Sequence, residues 1–582
     1  MRRGCQCAPP IIAESLADMP PGTRCIWSIA GLILVSLLVQ WGVTSRAAVS
    51  ALDAVRFAHR ARLIEEEGLV SALRSDPEQP LFSVWLCVVH RLAGRPAAGW
   101  ASAAQWAAAV PLVLAVVPVY MIGRRLFGNR PALVGGLLFC VLPEVARLGA
   151  DGISDGLHLL FFSFALWAMV EFWERVREAD EAPSDASAPL ARGRNARLAT
   201  VAFTAGIAVG LGALTRSESV VLAGSFAIAL AVAGWRGHLT PAAVGLAVFA
   251  LGIALAVLPY LVAVGALAPK PALHRLLGRG SAEIADVAEP SAIGPLQTFG
   301  GESLAFDVKE RSISLRQRGP LAAVKLFGSE LADLFGIVGL QALFGLWRVR
   351  GTHHRPVDRF CRLFLLLYCG SVLYLSATWG YLSARHLLPL AVLGMGAAGT
   401  GAVGMGELLR RGFGLAGRSG TWGRSPAWIQ GAIVLAAMSA CAVGLVQPLH
   451  ISRAGHRQAA EWLMGPAASP GHVLDTRGWT SLYTDRQTYT YDQARTAFVD
   501  PQLSYVVLER EELAYNSPRS RTLERLLGLA ARPVAEFPPR DPRWATVVVY
   551  RWQPARFAAW LAGASRDDTP PPACPAPDDS VL

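Results

Sequence analysis

Asp53, Asp155, Arg216 and Arg385 stand where apolar stretches of this 582-residue chain emerge on what reads as one face of a membrane. Charges so close to lipid are costly and invite a functional reading. The two residue types divide the chemistry between them. A carboxylate can take a hydroxyl proton as general base, and Asp53, at the outer end of the first span, is the first choice. Asp155 is the second carboxylate; it could orient a substrate, or share a divalent ion with Asp53 through oxygen ligands. A guanidinium stays charged at any relevant pH, and its fork can hold two oxygens of a phosphate. Arg385 suits that role better than its neighbour His386. Arg216 lies in Thr215-Arg216-Ser217-Glu218, where an Arg-Glu pair holding a tight turn explains it equally well. Arg147, Asp151 and Asp155 recur every four residues, so on one helix they would share a face, with Arg147 pairing to Asp151.

The elements that must position these groups follow from composition. Fifty-three per cent of the chain is apolar and 17% charged. With a mean hydropathy of +0.37 this implies a polytopic membrane protein. The net charge of +11 does not point to nucleic acid, because the arginines sit in short connectors between apolar spans. Of the nine cysteines, Cys25, Cys87, Cys140, Cys361, Cys369 and Cys441 lie in or beside apolar segments and read as buried thiols. Cys5 and Cys7 lack a second pair that would complete a metal site.

Apolar runs near 26–43, 100–122, 131–149, 156–173, 198–215, 219–235, 240–267, 321–347, 360–378, 387–405 and 428–447 predict about eleven crossings. The first run follows Arg2, Arg3 and Arg24 and reads as a retained signal anchor. Alternate connectors are rich in arginine (Arg124, Arg125 and Arg130; Arg175 to Arg197; Arg236; Arg348 to Arg362; Arg410 to Arg424) and belong in the cytoplasm. The N-terminal segment 1–24 is then cytoplasmic, and the first loop 46–80, the long loop 268–320 and everything past 450 face outward. Pro80 to Leu92 is apolar but too short to span, so it reads as interfacial or re-entrant.

Within the first outer loop, Leu52 to Ile64 sets apolar residues among Arg56, His59, Arg60 and Arg62, a basic amphipathic helix suited to an interface. Arg56 and His59 could meet a lipid phosphate there, or simply form a solvated basic face. The 268–320 loop is long enough to act as a lid or clamp, with Glu302, Asp307 and Glu310 as polar members. Past residue 450 the composition turns globular. A helix through Ala459–Met464, strands at His472–Asp475, Ser504–Leu508 and Thr546–Trp552, and a helix at Arg519–Leu529 predict a small α/β domain, 450–563. The Pro- and Asp-rich tail, 564–582, predicts disorder.

Three stretches together resemble the GT-C glycosyltransferases that use polyprenyl-phosphate sugars, particularly glycosyltransferase family 39, the protein O-mannosyltransferase and aminoarabinose transferase group. They are Asp53 followed by a helix and Asp76-Pro77-Glu78-Gln79-Pro80-Leu81-Phe82; Pro143-Glu144-Val145-Ala146-Arg147 through Ser154-Asp155-Gly156; and Tyr381-Leu382-Ser383-Ala384-Arg385-His386-Leu387-Leu388-Pro389. The match in order covers residues 25–405. Two positions depart from the family: Ala54 replaces a second carboxylate, and Gln79 a histidine. Both weaken the case for a metal more than for the fold.

The resemblance implies a mainly α, polytopic catalytic domain over 25–449. It implies transfer of a sugar from a polyprenyl phosphate to an acceptor hydroxyl on a glycan, lipid or protein, at the exoplasmic face of the inner membrane and with inversion. Asp53 would be the base and Asp155 the second catalytic carboxylate, with Arg385, Arg216, Arg56 and His59 toward the lipid phosphate. No cofactor is required by the sequence, and a divalent metal on Asp53 and Asp155 stays open. A lipid flippase or transporter, or a membrane ligase or polymerase using diphosphate-linked glycans, are the alternatives; no duplication between halves favours a transporter.

Overall fold

The computed structural model describes residues 21–76, 78–95, 99–181, 188–235, 239–265, 319–349, 356–379, 381–412, 427–514, 518–538, 541 and 544–564. They fall into two compact units that meet in sequence between Ile451 and Ser452. The 268–320 loop, with Glu302, Asp307 and Glu310, and the C-terminal tail lie almost wholly outside the described residues.

The first unit is helical: α1 (Pro21–Thr44), α2 (Leu52–Glu67), α3 (Leu69–Ser75), α4 (Leu81–Leu92), α5 (Trp100–Phe127), α6 (Asn129–Val141), α7 (Pro143–Asp151), α8 (Asp155–Asp180), α9 (Ala188–Ala213), α10 (Ser219–Trp235), α11 (Leu239–Val264), α12 (Pro320–Phe335), α13 (Val338–Val349), α14 (Pro356–Trp379), a 3-10 turn (Ala384–Leu387), α15 (Leu388–Gly412) and α16 (Ala427–Val446). Helices are what lipid permits, since each satisfies its backbone groups internally. The core packs Leu112, Phe139, Phe162, Phe226, Phe364 and Met395. Residues such as Leu251, Leu255 and Leu366 stay exposed on the outer faces, as lipid contact requires. Glycine sets the closest approach: a Cβ at Gly399 would lie 2.0 Å from the Pro131 carbonyl oxygen, so α6 and α15 touch backbone to backbone.

Eight helices among the described residues are long and apolar enough to cross a membrane, or nine if the pair α6 and α7, bent by 48°, is one span. The difference from eleven has a local cause in each case. Pro143 forces Leu142 into extended backbone and bends the span expected over 131–149. The run 219–235 forms a helix of only 17 residues. The run 321–347 is split at Gly336 into α12 and α13.

The four-residue ladder Arg147, Asp151, Asp155 does not form. Gly152 at φ +69° ends α7, and Asp155 begins a new helix. Arg147 instead donates to Glu144 at 3.1 Å, and Asp151 pairs with His450 at 2.7 Å.

The second unit carries a five-stranded sheet: β1 (His472–Asp475), β2 (Thr488–Tyr489), β3 (Leu503–Glu509), β4 (Ala531–Phe537) and β5 (Val547–Trp552), in the order β2-β1-β3-β5-β4. β1 runs parallel to β2 and β3; β5 is antiparallel to β3 and β4. The sequence did not announce β2, two residues long, or β4, whose Pro533 is tolerated because the strand lies at the sheet edge. Where β1 and β3 end, Glu509 is buried among Arg453, His456 and Arg477. Burial opposes its charge, but the hydrogen bond from His456 and the two guanidinium groups outweigh that and hold its carboxyl at about 2.

Candidate active site

The chain reversals that carry Asp53, Asp155, Arg216 and Arg385, the fourth of them the 3-10 turn, build the site together with the start of α4, and backbone hydrogen bonds stitch the first three in place. The segment leading into α2 is tied to the end of α7 by Ala51 N–H donating to the Asp151 carbonyl at 3.0 Å. The start of α4 is tied to the α9–α10 connector by Leu81 N–H and the Leu214 carbonyl at 3.1 Å. The fourth reversal is the 3-10 turn ahead of α15. It is held by the Tyr368 hydroxyl, which donates to the His386 carbonyl at 2.7 Å.

Asp53 and Asp155 each occupy the first turn of a helix, where the exposed N–H groups favour negative charge. They do not face one another. Arg385 Nη1 donates to Asp53 Oδ2 at 3.0 Å, and Arg216 Nη1 donates to Asp155 Oδ1 at 2.7 Å. Arg216 also gives Nε and Nη2 to Glu218 Oε1, at 3.0 and 2.7 Å. Arg385 acts through space on Asp155 and Arg216 as well, so the two pairs form one field of alternating charge. Their exposure differs: the Asp53 side chain is 45% exposed and that of Asp155 only 3%. Glu218 keeps a second buried oxygen, Oε2, without a hydrogen bond among the described residues. Beside it, His158 Nε2 lies 3.1 Å from Ser219 Oγ.

The first loop folds back on α2. Arg60, whose side chain is 3% exposed, donates to Asp76 Oδ2 at 2.9 Å, to Glu78 Oε2 at 3.3 Å and to the Gln79 carbonyl at 3.3 Å. Arg60 is therefore not part of the outward basic face expected of this helix. Arg56, one turn after Asp53, is exposed but paired with Glu78 at 2.6 Å; His59 is exposed two turns from Asp53.

The structure thus brings Asp53, Asp155, Arg216 and Arg385 together, and leaves Arg56 and His59 beside that group on α2. Each carboxylate faces a guanidinium, and among the described residues no three His, Cys, Asp or Glu side chains converge as a metal site. Sequence reasoning missed Tyr368, which holds the Arg385 turn, and the latch role of Arg60. Only the alternation of opposite charges in Arg60 and Asp76-Pro77-Glu78 could have signalled any of these.

Residues 78–180 match the family model for dolichyl-phosphate-mannose-protein mannosyltransferase. Among solved structures, the chain is similar to ArnT from Cupriavidus metallidurans, both bound to undecaprenyl phosphate (16% identity, TM-score 0.51) and in the apo state (15%, 0.52). Each comparison covers 90% of this chain and 97% of that one. The archaeal oligosaccharyltransferase AglB from Archaeoglobus fulgidus, in complex with an inhibitory peptide and a dolichol-phosphate, aligns at 12% identity and a TM-score of 0.47, over 87% of this chain and 72% of that one. No curated protein matches the chain. The likeness to ArnT shows that the chain shares its membrane fold.

Proposed function

We infer that this chain is a GT-C glycosyltransferase, an integral membrane enzyme that moves a sugar from a polyprenyl-phosphate donor to an acceptor hydroxyl. The observation that carries the reading is the pairing of a solvent-accessible carboxylate, Asp53, with a guanidinium, Arg385, beside a second, buried Arg-Asp-Glu group, on a fold shared with ArnT.

Asp53 takes the proton of the acceptor hydroxyl as that oxygen forms its bond to the anomeric carbon. The bond from that carbon to the phosphate oxygen breaks on the opposite side, and the electron pair leaves with the polyprenyl phosphate. One displacement inverts the anomeric centre. The departing phosphate gathers negative charge, and fixed positive groups lower the barrier where that charge develops. Arg385 is the phosphate ligand: when donor binds, its fork turns from Asp53 to the phosphate, which also releases Asp53 to act as base. Asp155 and Glu218 hold Arg216 in place behind it, and Glu218 Oε2 is a spare acceptor for a sugar hydroxyl. Arg56 and His59 lie toward the lipid surface on α2.

The arginine-rich connectors favour an inner-membrane protein with a cytoplasmic N-terminus, its site and the domain past residue 450 being exoplasmic. The test is release of free polyprenyl phosphate from a panel of lipid-linked sugars by the protein in proteoliposomes, supplied with acceptor extract. Turnover by wild type that falls about 10³-fold in Asp53→Asn supports the enzyme and its base. Turnover unchanged in Asp53→Asn removes Asp53 from the chemistry, and a folded protein inert toward the whole panel overturns the reading.

A further inference from the structure

A groove of about 430 Å³ runs between α6, α15 and α16 and opens at the surface of the bundle. Its lining has a direction. Arg130 and Gln430 sit in the first turns of α6 and α16, whereas Leu137, Val434, Leu435 and Met438 line it deeper, about 6–12 Å along the helices at 1.5 Å per residue. Arg130 is exposed and has no ion-pair partner among the described residues, while nearby Arg125 is engaged by Glu171 at 2.8 Å. The groove exists because α6 and α15 pack backbone to backbone, and because Gly431 places no side chain in it; a Cβ there would meet nothing within 4 Å.

A charged rim above an apolar channel is complementary to a single anionic lipid. We propose that the groove binds one acyl chain of an anionic glycerophospholipid whose phosphate meets Arg130. The sugar donor fits worse. Its headgroup belongs at Arg385, in the turn ahead of α15, and Val403, where α15 lines the groove, lies about 22 Å along that helix from its start at Leu388. The site is therefore at the arginine-rich end of the bundle, opposite the Asp53–Arg385 pair, and the proposal does not depend on the reaction catalysed.

The experiment is native mass spectrometry of the delipidated full chain titrated with phosphatidylglycerol or with phosphatidylcholine of the same acyl chains. Wild type is expected to retain one phosphatidylglycerol about tenfold more tightly than phosphatidylcholine, whose phosphate is offered to Arg130 with its charge already cancelled by the choline cation; about 1.4 kcal/mol is tenfold. Arg130→Glu is expected to bring phosphatidylglycerol down to the phosphatidylcholine level. Gly431→Leu, which fills the channel from a position with open space, is expected to abolish retention of both. Unfolding midpoints without lipid, equal to wild type, establish that both variants are folded. Equal retention of the two lipids by wild type, or undiminished retention of phosphatidylglycerol in both variants, overturns the proposal. Displacement of phosphatidylglycerol by equimolar polyprenyl phosphate also overturns it, and assigns the groove to the donor chain.

Discussion

Arg216 and Asp155, 61 positions apart, are joined by a 2.7 Å bond from Nη1 to Oδ1, and Glu218 closes the other edge of the same guanidinium. Two carboxylates on one cation hold it on both edges. Among the described residues, Arg385 has a single carboxylate at hydrogen-bonding distance, the half-exposed Asp53. The two arginines therefore differ in availability, and that difference separates a phosphate ligand from a structural strut.

Arg216→Ala strands the Asp155 carboxylate in a site where its side chain is 3% exposed. Breaking a buried pair on one side costs about 3–5 kcal/mol. Arg216→Ala is accordingly expected to lower the thermal midpoint and the yield of folded protein, and Asp155→Asn added to it is expected to recover part of the loss. A double-mutant cycle in detergent measures this; additive effects would separate the two residues.

Arg385→Ala is expected to behave differently. The half-exposed Asp53 is left facing solvent, so stability should change by less than about 1 kcal/mol. Polyprenyl-phosphate release should fall about 10²-fold or more, the scale for removing one donor that meets developing charge. Arg385→Lys keeps the charge without the fork and should recover only part of it. Donor KM and kcat measured on all three proteins test the assignment.

Tyr368 is expected to be a positioning residue. It is buried, and its hydroxyl holds the carbonyl of His386, next to Arg385. Tyr368→Phe keeps the packing and removes one hydrogen bond, a loss of about 1 kcal/mol in stability. If the turn aims Arg385, kcat falls about tenfold while donor KM stays within twofold. A purely packing role would leave both constants unchanged.

The membrane architecture was legible because lipid imposes long apolar helices on the sequence, and Asp53, Asp155, Arg216 and Arg385 stood out as charges at their ends. The partners of those charges were not legible. The pairing of Asp53 with Arg385 spans 332 positions and depends on how the 3-10 turn reaches across to α2. The expected pairing of Arg147 with Asp151 failed for a local reason, the left-handed Gly152, which a four-residue spacing cannot reveal. In the second unit, β1, β3 and β5 carry strong apolar patterns, whereas β4 is an exposed edge strand containing Pro533, and its sequence resembles a loop.

Arg60 is expected to be a latch for the first loop. Its buried guanidinium gathers Asp76, Glu78 and the Gln79 carbonyl onto α2. Arg60→Ala should free this segment, seen as faster backbone hydrogen exchange over residues 68–80. Arg60→Lys, which cannot span three acceptors with a planar fork, should not restore protection. Exchange as slow as wild type in Arg60→Ala would remove the latch.

The second unit should carry its own acid sensitivity through Glu509. The carboxyl is held at about 2 in the folded chain, below its ordinary value near 4.5. A depressed folded value means that the unfolded chain binds the proton first, so the contribution is fully present above about pH 4.5 and is lost as pH falls toward 2. Two to three pH units correspond to about 3 kcal/mol. Glu509→Gln is therefore expected to lower stability most at neutral pH, and its difference from wild type should shrink steadily below pH 4.5. Hydrogen exchange of β1 and β3 in the full chain, followed from pH 7 to pH 3, reads this directly. A difference that stays constant across that range would mean that packing around Arg453, His456 and Arg477, rather than the charge of Glu509, stabilises these strand ends.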